Sequence, residues 1–517
     1  MATGPRESIR TAREPAPDRP RIARAAAGIR ALPAGRRLAW AVFLTTQLLL
    51  LVQWAAFYPG IFSWDSLTYV WQVTTGHWVA DHSVAYDALL WLSLQVTGGV
   101  AALTLLQTVA AAAALAYTAT GLHRLGARAR WIWAATTVAA VMPSTASFLM
   151  FVWKDVGFAL SALLAFAAVA HLVAARLDGS RRRRRDLWLL ALGLSGLGLF
   201  RNDGLPVVLV AVVVLIIFLP GSRRVLTAIG AGVCALTAGL TLVVYPALGV
   251  QLPHGDSVVA LNLADVAVVY GEDPKSFTAA DLALMTQVAP LSHWSGQAAN
   301  CWFADPTMYP PMDRRAVDRL SGPLLSLWTR VLERTPQLVL KARLCRGQIA
   351  WSPVDGPSNI PGAATVVAGP EMPGGLPAGW NDNFNWSYPN ASLHGNPYLP
   401  ALVSHPFSAT LRRELVSVYN HSKSSTFQWL FWRGASWCYL TYAVLLWTAF
   451  RRRARPVVGL IGVTLGLQLT VLAANPSQLA RYMIAPIFIG LMCLPLLSVR
   501  RRNRVSVSPE GPESPEP

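Results

Sequence analysis

The segment VGFALSALLAFAAVAHLVAAR occupies residues 156–176 and is followed by a run of arginines at residues 181–185. About 20 mostly apolar residues are enough to cross the hydrocarbon core of a bilayer as one helix. Arginines that cluster beside such a helix are typical of the cytoplasmic side of a membrane. This segment therefore predicts a spanning helix that ends in the cytoplasm, and it sets the direction of the rest of the chain.

Further apolar runs lie on both sides of this segment, and arginines cluster in every second short loop between them. We therefore predict an all-α polytopic membrane protein with about ten transmembrane helices and both termini in the cytoplasm. The predicted spans are residues 38–58, 100–120, 131–151, 156–176, 187–201, 203–219, 225–248, 430–449, 456–474 and 481–499.

The composition agrees with a membrane protein. The chain has 517 residues, of which 53% are hydrophobic and only 14% are charged, whereas soluble domains carry about 25% charged residues. The net charge of +18 comes from short clusters between apolar runs, so it does not indicate nucleic-acid binding. The bias toward arginine and alanine favours a bacterial origin, and hence the bacterial plasma membrane.

The predicted spans divide the chain into parts with different roles. Within the first outer loop, residues 85–98 are apolar but too short to cross, which favours an interfacial or re-entrant helix. The parts are a disordered cytoplasmic tail at 1–37, an N-terminal transmembrane module at 38–249 with a first outer loop at 59–98, an extracytoplasmic domain of mixed or irregular structure at 250–428, C-terminal transmembrane helices at 429–500, and a second disordered cytoplasmic tail at 501–517.

Two cysteines, Cys301 and Cys345, lie in the predicted extracytoplasmic domain. Disulfides persist in oxidising compartments outside the cytoplasm. The two residues are therefore candidates for a disulfide, provided that the fold brings their Cα atoms within bonding range.

The first outer loop carries the candidate catalytic residue, Asp65, among the aromatic residues Trp64, Tyr69 and Trp71. Partial desolvation in such surroundings is expected to raise the pKa of a carboxyl group. A carboxylate of this kind can accept a proton from an attacking hydroxyl. The alternative is that Asp65 is only a helix N-cap or a turn former.

A second polar cluster follows in the same loop, at Asp81 and His82. These side chains could bind the hydroxyls of an acceptor or, together with Asp65, hold a divalent metal, although two aspartates and one histidine are a weak metal signature. Asp87 is more simply explained as a helix-capping residue.

The short outer loops carry three single cations, Lys154, Arg201 and Arg481, that the orientation of the helices does not require. An ionisable residue at membrane depth is by default a candidate for function, and guanidinium groups suit phosphate. The alternative is a side chain that merely extends to the interface. Their neighbours complete the candidate substrate-binding set, which is Asp81, His82, Lys154, Asp155, Arg201, Asn202, Asp203, Arg481 and Tyr482.

These blocks resemble the GT-C superfamily of membrane glycosyltransferases, which includes the protein O-mannosyltransferases and the lipid A aminoarabinose transferases. The resemblance covers roughly residues 38–250 and 430–500. The matching blocks are Pro59-Gly60, Asp65-Ser66, Gly76 and Asp81-His82 in the first loop, then Trp153-Lys154-Asp155, Arg201-Asn202-Asp203-Gly204 and Arg481-Tyr482.

The resemblance implies an inverting glycosyltransferase that moves a sugar from a polyprenyl-phosphate donor to a cell-envelope glycan, lipid or protein. Asp65 matches the catalytic aspartate and would deprotonate the acceptor, while Lys154, Arg201 and Arg481 would bind the lipid phosphate. Many members carry paired acids in this loop where this chain has one, so the resemblance leaves a divalent metal open.

Two other functions are compatible with the sequence. A transporter or lipid flippase would also span the membrane many times, but such proteins often show internal repeats and polar residues near the midplane, and neither is evident here. A non-catalytic envelope assembly protein would use the region 250–428 to bind partners, and ten spans exceed what an anchor needs.

Overall fold

The computed structural model of the chain describes residues 33–354, 388 and 390–499. These residues form helices joined by turns, and among them the only β-structure is three isolated bridges. The predicted all-α fold is confirmed. The predicted tail at 501–517 and most of the tail at 1–37 lie outside the described residues.

The helices have the following bounds. The α-helices before residue 250 are Ala34–Ala56, Trp64–Thr75, Val84–Thr97, Ala101–Arg124, Ala129–Val141, Pro143–Phe148, Lys154–Leu177, Arg184–Phe200, Gly204–Phe218, Arg223–Gly239 and Tyr245–Ala247. The later α-helices are Gly255–Glu272, Ala279–Thr286, Leu291–Ser295, Arg314–Arg319, Ser321–Arg334, Pro336–Arg346, Gln348–Trp351, Leu399–Leu402, Ala409–Ser422, Gln428–Phe431, Gly434–Arg452, Ile461–Ala474 and Ile484–Cys493. Shorter 3-10 or π segments are Pro220–Ser222, Leu240–Val244, Pro274–Ser276, Asp305–Met308, Arg455–Leu460, Ala480–Met483 and Leu494–Ser498.

Among the described residues, six helical segments are long and apolar enough to cross a membrane, so a membrane protein is supported. They are Ala34–Ala56, Ala101–Arg124, Lys154–Leu177, Pro220–Ala247, Arg455–Ala474 and Ala480–Ser498.

Of the other four predicted spans, three are shorter or interrupted, and the fourth is long enough but less apolar. The run 131–151 is divided in two because Pro143, which lacks a backbone N–H, starts a new helix. The runs 187–201 and 203–219 form separate helices of 17 and 15 residues. The helix Gly434–Arg452 has 19 residues and ends in two arginines. The count of ten spans therefore stays a prediction.

The helix Lys154–Leu177, here called the central helix, lies in the middle of the bundle. Of its most apolar stretch of 18 residues, 83% is buried by the rest of the protein. It packs against the helix Arg184–Phe200, where glycines allow a close approach. A Cβ atom added to Gly193 would lie 2.7 Å from the backbone nitrogen of Ala165.

We expect Gly193→Val to lower the free energy of unfolding by about 1–3 kcal/mol, because the added side chain overpacks this contact. The measurement is the midpoint of thermal unfolding in detergent. Gly232→Val is the matched control, since a Cβ atom at Gly232 has no neighbour within 4 Å. Equal midpoints for the two variants would contradict the prediction.

Residues 255–346, here called the inserted domain, form a helical unit with a hydrophobic core of their own. The prediction of mixed or irregular structure for 250–428 is therefore wrong for this part, because apolar residues at helical spacing bury one face of each helix. Its core includes Leu263, Val266, Trp294, Leu324 and Leu327.

The last part of the region 250–428 packs differently. Leu393, Leu402 and Tyr419 belong to the core of the bundle, and the backbone N–H of His405 donates to the carbonyl of Tyr58 at 2.8 Å. The described part of this region therefore contains two packing units, of which only the first has a separate core.

The inserted domain is fastened to the loop that precedes the last helix of the bundle. The Asn475 Nδ2 donates to the carbonyl of Arg346 at 2.7 Å, and the Gln478 Nε2 donates to the carbonyl of Cys345 at 2.6 Å. The backbone N–H of Ala304 donates to the carbonyl of Pro476 at 2.8 Å. These bonds bring residues near position 300 next to the start of the last helix.

Candidate active site

The helix Trp64–Thr75, here called the first-loop helix, begins with a capping box in which Ser63 is the N-cap and Ser66 closes the reciprocal bond. The Ser66 hydroxyl also donates to the carbonyl of Val152 at 2.9 Å, and the Trp153 indole N–H donates to the Ser63 hydroxyl at 2.5 Å. The interpretation of Asp65 as an N-cap is therefore wrong. Asp65 lies in the first turn, and its carboxylate is available for other contacts.

Asp65 forms an ion pair with Arg481, although the two residues are 416 positions apart. The side chain of Asp65 is 26% exposed and that of Arg481 is 10% exposed. The Arg481 guanidinium also donates to the Tyr482 hydroxyl at 3.1 Å and lies 5.1 Å from the centroid of the Trp153 ring. The first and last parts of the membrane bundle therefore meet at this pair.

The electrostatic surroundings of Asp65 differ from the expectation. Burial raises the pKa of its carboxyl group, but the positive charge of Arg481 and weaker interactions with His82 and Lys154 outweigh burial and lower the pKa to about 2. The prediction of a raised pKa is therefore wrong, because sequence neighbours show the desolvation but not a guanidinium brought from the far end of the chain.

Lys154, His82 and Asp81 form a second group beside this pair. The Lys154 Nζ lies 2.9 Å from the His82 Nδ1, and the His82 Nε2 lies 4.0 Å from an Asp81 oxygen. Burial and the charge of Lys154 lower the pKa of His82, so the neutral ring can accept a hydrogen bond from the ammonium group. Asp81 in turn accepts bonds from the Gln72 amide at 3.0 Å and the Tyr388 hydroxyl at 2.9 Å.

Arg201 has a different environment from the other two cations. Its guanidinium donates to Asp155 at 3.2 Å and to Asp203 at 2.7 Å, and it lies 4.6 Å from the centroid of the Tyr482 ring. Arg201 is only 7% exposed. Its charge is balanced by two carboxylates, so Arg201 is better suited to hold the loops together than to bind an incoming phosphate.

The remaining predicted residues connect these groups. The Asn202 amide donates to the carbonyl of Asp81 at 3.1 Å. Asp87, in contrast, is not a helix cap, since Ser83 caps the helix Val84–Thr97. The structure brings together the whole predicted site, namely Asp65, Asp81, His82, Lys154, Asp155, Arg201, Asn202, Asp203, Arg481 and Tyr482.

The inserted domain adds a carboxyl group that the sequence did not single out, that of Asp305. It lies two residues after Phe303, whose backbone forms an isolated β-bridge with Ser477, and it is only partly exposed. Burial raises the pKa of Asp305 to about 6, and the negative charge of Asp65 adds to this effect while Arg481 opposes it. Asp305 therefore lies close enough to the ion pair to share its electrostatic field.

The predicted disulfide is confirmed, because Cys301 and Cys345 are bonded with their Cα atoms 5.7 Å apart. This bond closes the base of the segment that carries Asp305. Near Asp305 the sequence analysis singled out only the two cysteines. A predicted disulfide does not show which polar residue beside it faces the site.

Among the described residues, no group of three or more histidines, cysteines, aspartates or glutamates lies close enough to hold a metal ion. The side chains predicted as possible metal ligands have other partners. Asp65 is paired with Arg481, and His82 faces the Lys154 ammonium.

Comparison with known proteins gives a family and no function. A family model described as "Family of unknown function (DUF6020)" matches residues 34–297, which include the first loop and the central helix. No curated protein and no solved structure matches the chain.

Proposed function

The chain belongs to DUF6020, a family of unknown function, and we propose that it is a membrane glycosyltransferase of the GT-C type. It moves a sugar from a polyprenyl-phosphate donor to a cell-envelope acceptor on the outer face of a bacterial plasma membrane. The observation that carries the proposal is the meeting of Asp65, Arg481 and Lys154 at one end of the bundle.

The cations at this site are not equivalent. Lys154 contacts the neutral imidazole of His82, and no carboxylate of the described residues forms an ion pair with it. Among the residues that the structure describes, Arg481 pairs with one carboxylate, that of Asp65, whereas Arg201 pairs with those of Asp155 and Asp203. We therefore assign the donor phosphate to Lys154 and Arg481, and we assign Arg201 to positioning Tyr482 and the loop around it.

An apolar groove supports a lipid-linked donor. It has a volume of about 560 Å³ and lies between the central helix and the helices Ala101–Arg124 and Arg184–Phe200. At the site end it is lined by Tyr86, whose ring lies 5.8 Å from that of Tyr69, which in turn lies 5.1 Å from the ring of His82. An isoprenoid chain in this groove would direct its phosphate toward the site.

The reaction then follows from charge. The acceptor hydroxyl attacks C1 of the sugar, a new C1–O bond forms, and the bond from C1 to the phosphate oxygen breaks. The hydroxyl proton passes to Asp65, and the polyprenyl phosphate leaves with its charge stabilised by Lys154 and Arg481. Donor phosphate competes with Asp65 for Arg481, so donor binding itself weakens the ion pair and makes Asp65 more basic.

The test is sugar transfer by the purified protein in proteoliposomes. A radiolabelled polyprenyl-phosphate sugar is supplied together with extracted envelope material as the acceptor. The proposal predicts labelled acceptor and free polyprenyl phosphate in equal amounts. If the protein neither binds polyprenyl phosphate nor releases sugar from any such donor, the proposal is wrong.

We expect Ala113→Trp to weaken binding of polyprenyl phosphate at least tenfold, because the indole would occupy the apolar groove that Ala113 lines. The measurement is retention of polyprenyl phosphate by protein in nanodiscs, by native mass spectrometry. Ala235→Trp is the matched control, since Ala235 is an exposed helical residue outside the groove. Similar losses in both variants would argue against this location of the lipid chain.

A further inference from the structure

A second cavity lies at the other end of the same helices and has no part in the proposed reaction. It has a volume of about 700 Å³ and is here called the basic pocket. Asp155 and His171 mark the two ends on the central helix and are 16 residues apart, which corresponds to about 24 Å. The basic pocket is lined by Pro33, Gly35, Arg36, Ala39, Ala116, Tyr117, Thr120, His123, Arg124, His171, Arg183 and Arg185.

The floor of the basic pocket consists of packed side chains. The rings of Tyr117 and His171 stack with their centroids 4.3 Å apart, and His171 is 3% exposed. The Tyr117 hydroxyl donates to Asp186 at 2.8 Å, and the Arg185 guanidinium lies 5.2 Å from the centroid of the Tyr117 ring. The pocket is thus built on packed side chains and is not merely a gap between exposed arginines.

The arginines exceed the acids around this pocket. Arg124 is paired with Asp178 at 3.1 Å, and Arg185 lies 3.9 Å from Asp186. Arg36 and Arg183 also line the pocket, and neither has a carboxylate partner within the described part of the chain. Two guanidinium groups of this pocket therefore have no acidic partner among the described residues, and a guanidinium group can bind two phosphate oxygens at once.

The basic pocket adjoins the apolar groove. Tyr117 and Arg185 line both cavities. A ligand with an anionic head and a long apolar chain would fill the two together, and basic pockets between membrane helices are known to bind lipid head groups.

We propose that the basic pocket binds a phosphate group, and that this group is the head of an anionic lipid whose chain enters the apolar groove. Arg36 and Arg183 bind the phosphate oxygens directly, while Arg185 closes the passage toward the groove. This site is separate from Lys154 and Arg481, so phosphate binding here does not depend on the proposed glycosyl transfer, but the chain of the anionic lipid and the isoprenoid chain of the donor would compete for the same groove.

The topology of the chain offers a simpler explanation, since arginines collect on the cytoplasmic side whether or not they bind a ligand. The two explanations differ in which arginines affect lipid binding. If the arginines serve orientation alone, removing any two on this face has the same effect on lipid binding. If the pocket is a site, only those that line it matter.

The experiment compares the full-length protein with two double variants in phosphatidylcholine nanodiscs that contain a small fraction of phosphatidic acid. R36Q/R183Q removes two pocket arginines, and R128Q/R130Q removes two exposed arginines of the same face that do not line the pocket. We expect R36Q/R183Q to lower retention of phosphatidic acid at least tenfold, and R128Q/R130Q to change it less than twofold. All four positions are exposed, so both variants are expected to fold.

A second arm uses inorganic phosphate without anionic lipid and follows the thermal unfolding midpoint. Retention of phosphatidic acid with no response to inorganic phosphate identifies a lipid as the source. A response to inorganic phosphate that R36Q/R183Q abolishes identifies soluble phosphate and refutes the lipid part of the proposal. Equal retention by both double variants, or none by the unmodified protein, overturns the site as a whole.

Discussion

We expect Asp65→Asn to lower sugar transfer by about 10²–10⁴-fold, the range that a positioned general base contributes. Asparagine keeps the shape of the side chain and one of its oxygen acceptors, but it cannot take the proton of the acceptor hydroxyl. The rate of labelled product formation in proteoliposomes measures the effect. The loss should appear in kcat, while polyprenyl phosphate binding persists because Lys154 and Arg481 remain.

Two controls make the Asp65→Asn result specific. Asp273→Asn removes a carboxylate that accepts no described hydrogen bond, and it should leave the rate unchanged. Asp65→Glu restores a carboxylate and should recover part of the activity. Asp65→Asn also removes the carboxylate that pairs with Arg481. The monodispersity and the unfolding midpoint of this variant must therefore be compared with those of the unmodified protein. Full activity of a well-folded Asp65→Asn protein would remove Asp65 from the mechanism.

The sequence predicted the class of fold because membrane helices depend on local composition. Long apolar runs such as 156–176 correspond closely to helices in the structure. It did not predict the break before Pro143 or the helical inserted domain. The break depends on the backbone geometry of a single proline inside an otherwise apolar run. The inserted domain contains no apolar run long enough to predict a spanning helix.

The candidate site was predicted for a topological reason. Loops on one face of a short bundle must lie close together, so polar residues that orientation does not require are brought into one region. The partners within that region could not be read from the sequence. Whether Arg201 or Arg481 would face Asp65 depends on side-chain packing, and the ion pair with Arg481 reversed the direction expected for the pKa of Asp65.

Asp305 was missed for the same physical reason. It lies in a segment with no motif, and it comes near the ion pair only because its neighbours Ala304 and Phe303 are bonded to Pro476 and Ser477. Its environment also separates it chemically from Asp65. Two carboxyl groups whose pKa values differ widely can hold a proton in sequence, first on the more acidic group and then on the less acidic one.

We expect Asp305 to receive the proton that Asp65 takes from the acceptor, because a pKa of about 6 retains a proton far better than a pKa of about 2. Asp305 must be ionised for this step, so kcat/KM of the unmodified protein should fall about tenfold per pH unit below pH 6. Above pH 7 the carboxyl group is ionised, and this limitation disappears.

Asp305→Asn tests the assignment, since asparagine resembles the protonated acid at every pH. The variant should lose the fall below pH 6 and should show, at pH 7.5, at least tenfold lower kcat/KM than the unmodified protein, whereas Asp305→Glu should keep the fall. A purely structural role for Asp305 would lower the rate by the same factor at all pH values and leave the shape of the profile intact. If Asp305→Asn has the same rate and the same pH profile as the unmodified protein, the proton leaves Asp65 by a path that does not include Asp305.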